Sequence, residues 1–110
     1  MKVVFVSAPY SAESETGKDM LQRICRFCVR EGAIPVCPRL YYTQGCDFLN
    51  KCKYKEEYLR RVSEELITHC DEVWFFDAFT KSMKLDYIDA VMAGKPKQHF
   101  THKEDEDCED

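Results

Sequence analysis

The chain has 110 residues, of which 45% are hydrophobic and 33% are charged, and its formal net charge is −4. This length allows one compact domain with a single core, and the apolar fraction excludes a wholly disordered chain. No apolar run approaches the roughly 20 residues that span a bilayer, and residues 1–7 are too short for a signal peptide. We therefore expect a soluble, cytoplasmic protein that does not bind membranes.

Acidic residues are concentrated at the C-terminus. Residues 103–110 contain six acids and one base, a local charge of −5, so the rest of the chain has a charge of +1. A near-neutral body beside an acidic tail is not suited to nucleic acid, whose phosphates need a basic surface. We expect one domain over residues 1–102 and a disordered tail over 103–110, with docking as the alternative role of the tail.

The sequence contains seven cysteines. Their odd number and the lack of a secretory signal predict reduced thiols. Cys25 and Cys28 form a Cys-x-x-Cys pair inside a predicted helix, where packing is the expected role. The other cysteines lack the spacing of a zinc motif. The sequence therefore implies no metal or redox cofactor.

Strands and helices alternate in the first third of the chain. Residues 2–7 are an apolar run typical of a strand buried on both faces. The polar residues 11–18 lead into an amphipathic helix that ends at Gly32. The apolar positions of this helix are Met20, Leu21, Ile24, Phe27 and Cys28. Residues 33–37 follow as a short strand, and Pro35 indicates that it lies at or near a sheet edge.

The remaining elements follow a segment without periodicity. Residues 39–53 predict a long loop that is able to cover a pocket. Residues 54–70 predict a second helix. Its expected inward positions are Tyr58, Leu59, Val62, Leu66 and Ile67, and its expected outward positions are Lys55, Glu56, Arg60, Arg61, Glu64 and Glu65. A strand at 73–76, a helix from about 83 to 93 ended by Gly94, and a last strand at 96–100 complete the prediction.

This alternation predicts βαβ units and a parallel sheet with helices on both faces. The expected fold is therefore a three-layer α/β/α domain, flavodoxin-like or Rossmann-like, with about four to five strands. Ligands bind such sheets outside the carboxyl ends of the strands. The candidate site consists of residues 7–10, 38–40 and 77–82, together with the first turn of the following helix.

Two acids lie near the start of that helix. Asp86 is about one turn into it, and Asp89 follows at i+3, so both can share one face. A carboxylate in a partly dry pocket can attack the anomeric carbon of a sugar and form a covalent glycosyl–enzyme intermediate. The alternative is that the acids only favour the helix dipole, with Asp89 facing solvent.

Other polar and aromatic side chains flank these strand ends. Thr80 and Ser82 can cap the helix or bind a phosphate or sugar oxygen. Asp77 can accept hydrogen bonds from a base or ribose, or form a turn. Tyr10 can stack on a base or pack at the rim. Arg39 is the one cation expected near the pocket, where its alternatives are binding an anion or making a surface salt bridge.

Four segments resemble the nucleoside 2-deoxyribosyltransferase-like superfamily, above all its small uncharacterised bacterial and phage branch. They are VFVSAPY at 4–10, CRFCVREGAIPVCPRL at 25–40, CDEVWFF at 70–76 and AGKP at 93–96. In the active transferases of that superfamily, a Ser-x-Gly-Met or Ser-x-Gly-Cys turn precedes a nucleophilic Glu by three residues. Here the turn is Thr80-Lys81-Ser82-Met83, and Asp86 stands at the nucleophile position.

The resemblance implies a site with one nucleophile and a surrounding binding pocket. Asp86 is the implied catalytic residue. The candidate substrate-binding residues are Ser7, Pro9, Tyr10, Arg39, Asp77, Thr80, Ser82 and Met83. The implied ligand is a nucleoside or nucleotide, and because relatives usually self-associate, we expect a homodimer or larger oligomer.

The chain departs from the pattern of these relatives at the site. Ser82 replaces the Gly and Asp86 replaces the Glu, while the related branch tends to have Asn at Gly17, His at Arg39 and Gly at Asp77. Asp is one methylene shorter than Glu, and misplacing a nucleophile by ~1 Å can cost ~100-fold in rate.

Two functions are therefore compatible with the sequence. In the first, Asp86 attacks C1′ of a 2′-deoxynucleoside or its 5′-monophosphate, and the base is released or exchanged. In the second, the domain is catalytically inactive and binds a nucleotide-like ligand or a protein, as an accessory or inhibitor protein of phage type does. An exposed apolar patch formed by Tyr41, Tyr42 and Phe48 would favour a protein partner.

Overall fold

The computed structural model describes residues 1–45 and 53–101, and for residues 42–45 it describes the backbone alone. The elements in chain order are β1 (Lys2–Ser7), α1 (Glu15–Arg30), β2 (Ala33–Val36), α2 (Pro38–Gly45), α3 (Lys55–His69), β3 (Glu72–Phe76), α4 (Lys81–Met92) and β4 (Lys97–Phe100). The expected acidic tail at 103–110 lies outside the described residues.

The described strands form a four-stranded parallel sheet in the order β2-β1-β3-β4. With helices on both faces, the sheet confirms the predicted three-layer α/β/α fold. β2, which contains Pro35, is an edge strand as predicted. β2 and β3 lie on opposite sides of β1 in the sheet. A crevice therefore opens at the carboxyl ends of β1 and β3, which is where ligands bind in such sheets.

One layer of the core lies between the sheet and α1, and we refer to it as the α1 face. Val4 and Val6 pack there against Ile24 and Cys28 of α1. An aromatic cluster of Phe27, Trp74, Phe76 and Phe100 fills the rest of this layer. Helix α1 begins at its N-cap Ser14, whose hydroxyl accepts a hydrogen bond from the Gly17 backbone N–H at 3.0 Å. It ends before Gly32, whose φ of 81° is the left-handed conformation that glycine adopts at such ends.

The opposite layer contains α3 and α4, and we refer to it as the α3/α4 face. Phe5, Val73 and Phe75 of the sheet pack there with Ile67 of α3 and with Met83 and Ala90 of α4. Side chains alternate between the two faces of a strand, so Ser7 follows Val3 and Phe5 onto this face. The apolar α3/α4 face therefore ends in a polar residue at the carboxyl end of β1.

Two elements differ from the sequence prediction. Residues 38–45 form α2, where a loop was predicted, because Pro38 at the first helical position fixes a helical φ. The buried residues of α3 are Lys55, Leu59, Ser63 and Ile67, whereas Tyr58 is exposed. The side chain of Arg60 is 26% exposed and contacts α4. The prediction was thus wrong for the orientation of Lys55, Tyr58 and Arg60.

None of the helices within residues 1–45 and 53–101 has the length and apolar character that crossing a bilayer requires.

Candidate functional site

Asp86 lies on α4 beside the carboxyl end of β1, and its residue surface is only 7% exposed. The Ser7 hydroxyl donates a hydrogen bond to Asp86 Oδ2 at 2.7 Å. Arg60 Nη2 donates to Asp86 Oδ1 at 2.6 Å. Each carboxylate oxygen therefore has a partner on a different element, which fixes the orientation of the carboxylate in a region with little solvent.

Arg60 joins this carboxylate to a second one. Its Nη2 also contacts Asp89 Oδ2 at 2.7 Å, and its Nη1 donates to the Ser82 carbonyl oxygen at 3.3 Å. Burial raises the pKa of Asp89, although the Arg60 guanidinium opposes that rise. Asp89 is thus partly buried and paired with Arg60, and the alternative of an Asp89 that only faces solvent is wrong.

Two neighbouring spaces lie at this end of the sheet and share lining residues, among them Tyr10, Arg39 and Ser82. An inner pocket of about 20 Å³ is lined by Ser7, Asp86, Tyr10 and Ser82, and this volume suits a single water molecule. An outer cleft of about 250 Å³ opens beyond it, and Pro9, Tyr10, Thr80 and Ser82 are among the residues that line it. The outer cleft has the size of a small organic ligand, being slightly below the roughly 300–1,000 Å³ typical of such sites.

Arg39 lies at the wall of this cleft, on the first turn of α2. Its guanidinium pairs with Glu56 at 3.1 Å and lies 3.4 Å from the Ser82 hydroxyl. Arg39 therefore makes a salt bridge at the wall of the cleft, and its binding of an anion stays a prediction. Arg39 is not the one cation here, because Lys55 also lines the cleft and Arg60 contacts Asp86.

Lys55 is 8% exposed, and its Nζ contacts a carboxylate oxygen of Glu13 at 2.6 Å. Glu13 belongs to the loop between β1 and α1, so this ion pair ties one wall of the cleft to α3. Gly17 controls the same loop from α1, because a Cβ at that position would lie 1.9 Å from the Ser11 carbonyl oxygen. The path of the loop over the cleft therefore requires glycine at position 17.

Tyr10 and Asp77 meet across the carboxyl ends of β1 and β3. The Tyr10 hydroxyl donates to Asp77 Oδ2 at 2.5 Å, and His99 Nε2 donates to the Asp77 carbonyl oxygen at 2.6 Å. Asp77 has a φ of 62°, a left-handed conformation that is uncommon outside glycine. Strained residues of this kind are concentrated at functional sites.

The start of α4 completes the site. Thr80 is the N-cap of α4, and its hydroxyl accepts a hydrogen bond from the Met83 backbone N–H at 3.3 Å. Ser82 faces the cleft, as expected for a binding residue. Met83 is 1% exposed and packs in the core with Phe5 and Phe75, below the site. Its side chain therefore supports the site from beneath.

The cysteines within the described part of the chain, Cys25, Cys28, Cys37 and Cys70, are free. Burial raises the pKa of Cys28 to about 12 and that of Cys70 to about 11, which makes both poor nucleophiles. Cys37 lines the inner pocket, but a hydrogen bond to Cys25 and burial both raise its pKa. Cys46 and Cys52 lie outside the described residues. No group of three or more potential metal ligands converges within residues 1–45 and 53–101.

Sequence reasoning missed two charged residues of the site, Arg60 and Lys55. Both lie on α3 among other charged residues, where the expected role was solvation of an exposed helix face. Their partners Asp86 and Glu13 lie on other elements, 26 and 42 residues away in the chain. A weak signal was present in α3, because Lys55, Leu59 and Ser63 recur at intervals of four and so share one side of the helix.

Residues 2–100 match the family described as Domain of unknown function (DUF7768). The chain belongs to this family. The matched range includes every strand and helix of the DUF7768 domain and all the site residues described above. No curated protein matches the chain.

Proposed function

We propose that this DUF7768 domain binds a nucleoside or nucleotide at the carboxyl ends of β1 and β3 and cleaves or transfers its N-glycosidic bond. The observation that supports this most strongly is Asp86, a buried carboxylate fixed by Ser7 and Arg60 at the topological switch point of the sheet. Its position matches that of the nucleophile in the deoxyribosyltransferase-like superfamily that the sequence resembles.

The proposed reaction uses Asp86 as a covalent nucleophile. Because Ser7 and Asp86 line the inner pocket together, Oδ2 is the oxygen that we assign to attack on C1′. The C1′–Oδ2 bond forms as the C1′–N bond breaks, and the base leaves with the bonding electrons and takes a proton from solvent. Water then attacks C1′ and loses a proton to solvent, which gives the free sugar, or a nitrogen of a second base attacks C1′ and loses its proton, which gives a new nucleoside. In either case the C1′–Oδ2 bond breaks and its electrons restore the Asp86 carboxylate.

The outer cleft supplies the groups that would hold such a ligand. Tyr10 presents an aromatic ring at the rim, suited to stacking on a base. Arg39 and Lys55 are paired with the exposed Glu56 and Glu13, and a 5′-phosphate is able to replace these carboxylates as the anionic partner. We therefore expect a monophosphate to bind more tightly than its nucleoside.

Two departures from the resembled branch bear on the proposal in opposite ways. Position 77, which tends to be Gly in that branch, has the left-handed φ that glycine favours, so Asp77 retains the backbone geometry. Position 17, which tends to be Asn, has no room for a Cβ in this chain. The loop over the cleft must therefore follow its own path here, and this favours a ligand that differs from those of the relatives.

A catalytically inactive nucleotide-binding domain is the second candidate. Both oxygens of Asp86 are already hydrogen-bonded, and the inner pocket has room for about one water molecule rather than a sugar ring. In this alternative the outer cleft binds the ligand and Asp86 has a structural role.

The protein-partner alternative depended on three aromatic residues. Tyr41 is 69% exposed, which agrees with it. The side chain of Tyr42 and the whole of Phe48 lie outside the described residues, so an apolar patch formed by all three stays a prediction. Self-association likewise stays an expectation from the resemblance.

Base release distinguishes these functions. Purified wild-type protein, Asp86→Ala, Asp86→Asn and the control Asp19→Ala are incubated with nucleosides, deoxynucleosides, their 5′-monophosphates and NAD. Asp19 is an exposed acid on α1, away from the cleft. Mass spectrometry then measures free bases, retained ligands and, after rapid acid quench, the intact mass of the protein.

The enzyme proposal predicts that wild type and Asp19→Ala release one base, whereas both Asp86 variants release none. A protein mass increased by the sugar would identify the covalent intermediate. Retention of one compound by all variants without base release would establish the inactive binding domain instead. Neither release nor retention would contradict both and favour a protein partner.

A further inference from the structure

Arg60 is the most unusual charged residue of the described chain outside the cleft itself. It is a helical arginine whose side chain is only 26% exposed, and one nitrogen, Nη2, lies within 2.7 Å of two carboxylates. A second nitrogen holds the Ser82 carbonyl oxygen at the start of α4. One side chain of α3 therefore fixes three points of α4, including the proposed nucleophile.

Arg60 lines neither the inner pocket nor the outer cleft. It lines a neighbouring groove between α3 and the first turns of α4, with Lys81 and Leu85, and this groove shares Ser82 with the cleft. Arg60 contacts Oδ1 of Asp86, while Oδ2 is the oxygen beside Ser7.

We propose that Arg60, anchored by Asp89, is a positioning residue that orients Asp86, so that Oδ2 is presented to the inner pocket. The inference rests on the proposed function for its chemistry. The geometry on which it depends, a guanidinium between two carboxylates, is independent of which ligand the cleft binds.

The charges around Asp86 explain why an arginine is needed. Asp89 is a second acid on α4, and Glu64 on α3 acts on Asp89 as well. Burial, Glu64 and Asp86 all raise the pKa of Asp89, and the Arg60 guanidinium opposes that rise. The planar guanidinium contacts two carboxylates and a carbonyl in fixed directions, whereas a lysine ammonium is a single point charge. Arg60 therefore supplies orientation as well as charge.

Asp89 has the complementary task. It accepts a hydrogen bond from Nη2, the same guanidinium nitrogen that contacts Asp86, and so restrains the arginine from rotating away from Oδ1. Removal of Asp89 should leave the charge of Arg60 in place but loosen its orientation. Both residues are thus expected to affect the orientation of the Asp86 carboxylate, Arg60 more strongly than Asp89.

The test compares Arg60→Gln, Arg60→Lys and Asp89→Asn with the matched control Arg61→Gln, an exposed arginine next to Arg60 on α3. Base release is measured across pH 4–9, with kcat and KM separated, and rates are expressed per folded molecule from the thermal unfolding curve. Arg60→Lys guards against misfolding of the glutamine variant because it retains the charge.

We expect Arg60→Gln to lower kcat about 100-fold, as for a misplaced nucleophile, and to change KM by no more than about threefold. Arg60→Lys should recover part of this loss, with kcat about 10-fold below wild type, and Asp89→Asn should resemble it. Arg61→Gln should match wild type.

A purely structural Arg60 gives a different result, namely lower melting temperatures with unchanged kcat per folded molecule, and that result overturns the proposal. If wild type releases no base, the proposed function fails, and the positioning role is then decided by crystal structures of wild type and Arg60→Gln. The Asp86 carboxylate should turn away from the Ser7 hydroxyl in Arg60→Gln. A carboxylate that keeps its wild-type orientation overturns the role of Arg60 on its own.

Discussion

The two faces of the sheet are built from alternate residues of the same strands, yet they differ in composition. The core of the α1 face is apolar and includes the cluster of Phe27, Trp74, Phe76 and Phe100. The α3/α4 face is apolar only over part of its length. At the carboxyl end of β1 it changes to Ser7, Asp86 and Arg60.

This difference in composition gives the two faces different roles, one in the stability of the fold and one in the candidate site. Burial of apolar surface stabilises the fold without directional demands, whereas buried charges cost free energy unless each is paired. The α1 face is thus suited to stabilising the domain. The end of the α3/α4 face is suited to holding charged side chains that are paired with one another. Substitutions on the two faces should therefore have separable effects on unfolding and on activity.

The largest loss of stability is expected from the α1 face. Ile24 of α1 is 3% exposed against the sheet, and Ile24→Ala should lower the free energy of unfolding by about 2–5 kcal/mol. Urea denaturation measures this loss, with Val29→Ala as the control because Val29 is 60% exposed on the same helix. Ligand binding per folded molecule should be unchanged, and a selective loss of binding would contradict the separation of the faces.

The next effect concerns the loop between β1 and α1. Gly17→Ala places a methyl group 1.9 Å from the Ser11 carbonyl oxygen, so the backbone must move. We expect a loss of about 1–3 kcal/mol in stability together with weaker ligand binding, because Ser11 lines the cleft. Calorimetric titration and urea denaturation measure the two effects, and Thr16→Ala, at an exposed neighbour, serves as control. Unaltered binding would show that the loop does not shape the cleft.

A smaller effect is expected at the N-cap of α4. Thr80→Ala removes the acceptor of the Met83 N–H and should cost about 1 kcal/mol of stability. Thr80→Ser retains the hydroxyl and should restore most of that loss in the same denaturation experiment. Equal losses in the two variants would mean that the methyl group of Thr80, rather than its cap, stabilises this end of the helix.

The smallest effect concerns two carboxylates, one on each face, whose contributions to stability change with pH in opposite directions. Hydrogen bonds from Lys2 and Trp74 lower the pKa of Glu72, so its stabilisation is present above the unfolded value near 4.5 and is lost as pH falls through the lowered folded value. Burial raises the pKa of Asp89, so its stabilisation is present below the unfolded value near 3.8 and is lost as pH rises through the raised folded value.

Denaturation of Glu72→Gln, Asp89→Asn and wild type between pH 3 and 7 measures this difference. The advantage of wild type over Glu72→Gln should grow as pH rises, and its advantage over Asp89→Asn should shrink. Slopes of the same sign for both variants would show that the two carboxylates lie in equivalent environments.

Most of the fold was predictable because it follows from local periodicity. The apolar positions of α1 recur with the helical repeat, Pro35 marks an edge strand, and Gly32 ends α1, so these elements appear where the sequence places them. Helix α2 was missed because residues 39–53 show no repeat. Its first turn is set by Pro38 instead, a signal that is easily overlooked.

The candidate site was predictable only in part. The strand ends are fixed by topology, so Ser7, Tyr10, Asp77 and Asp86 were expected at one edge, and they lie there. The orientation of α3 was not predictable, because Arg60 faces inward to meet acids that are distant in sequence. The periodicity of apolar residues cannot reveal a helix face that is buried because its charged side chains form ion pairs.

The edge strands of the sheet affect the tendency of the protein to aggregate at high concentration. β2 and β4 are each four residues long, and they form the two edges of the described sheet. Pro35 removes a backbone donor from one of them, and the other contains the charged Lys97. Short edge strands of this kind are poor templates for added strands, so the native domain is protected against edge-to-edge aggregation and amyloid-like growth at high concentration.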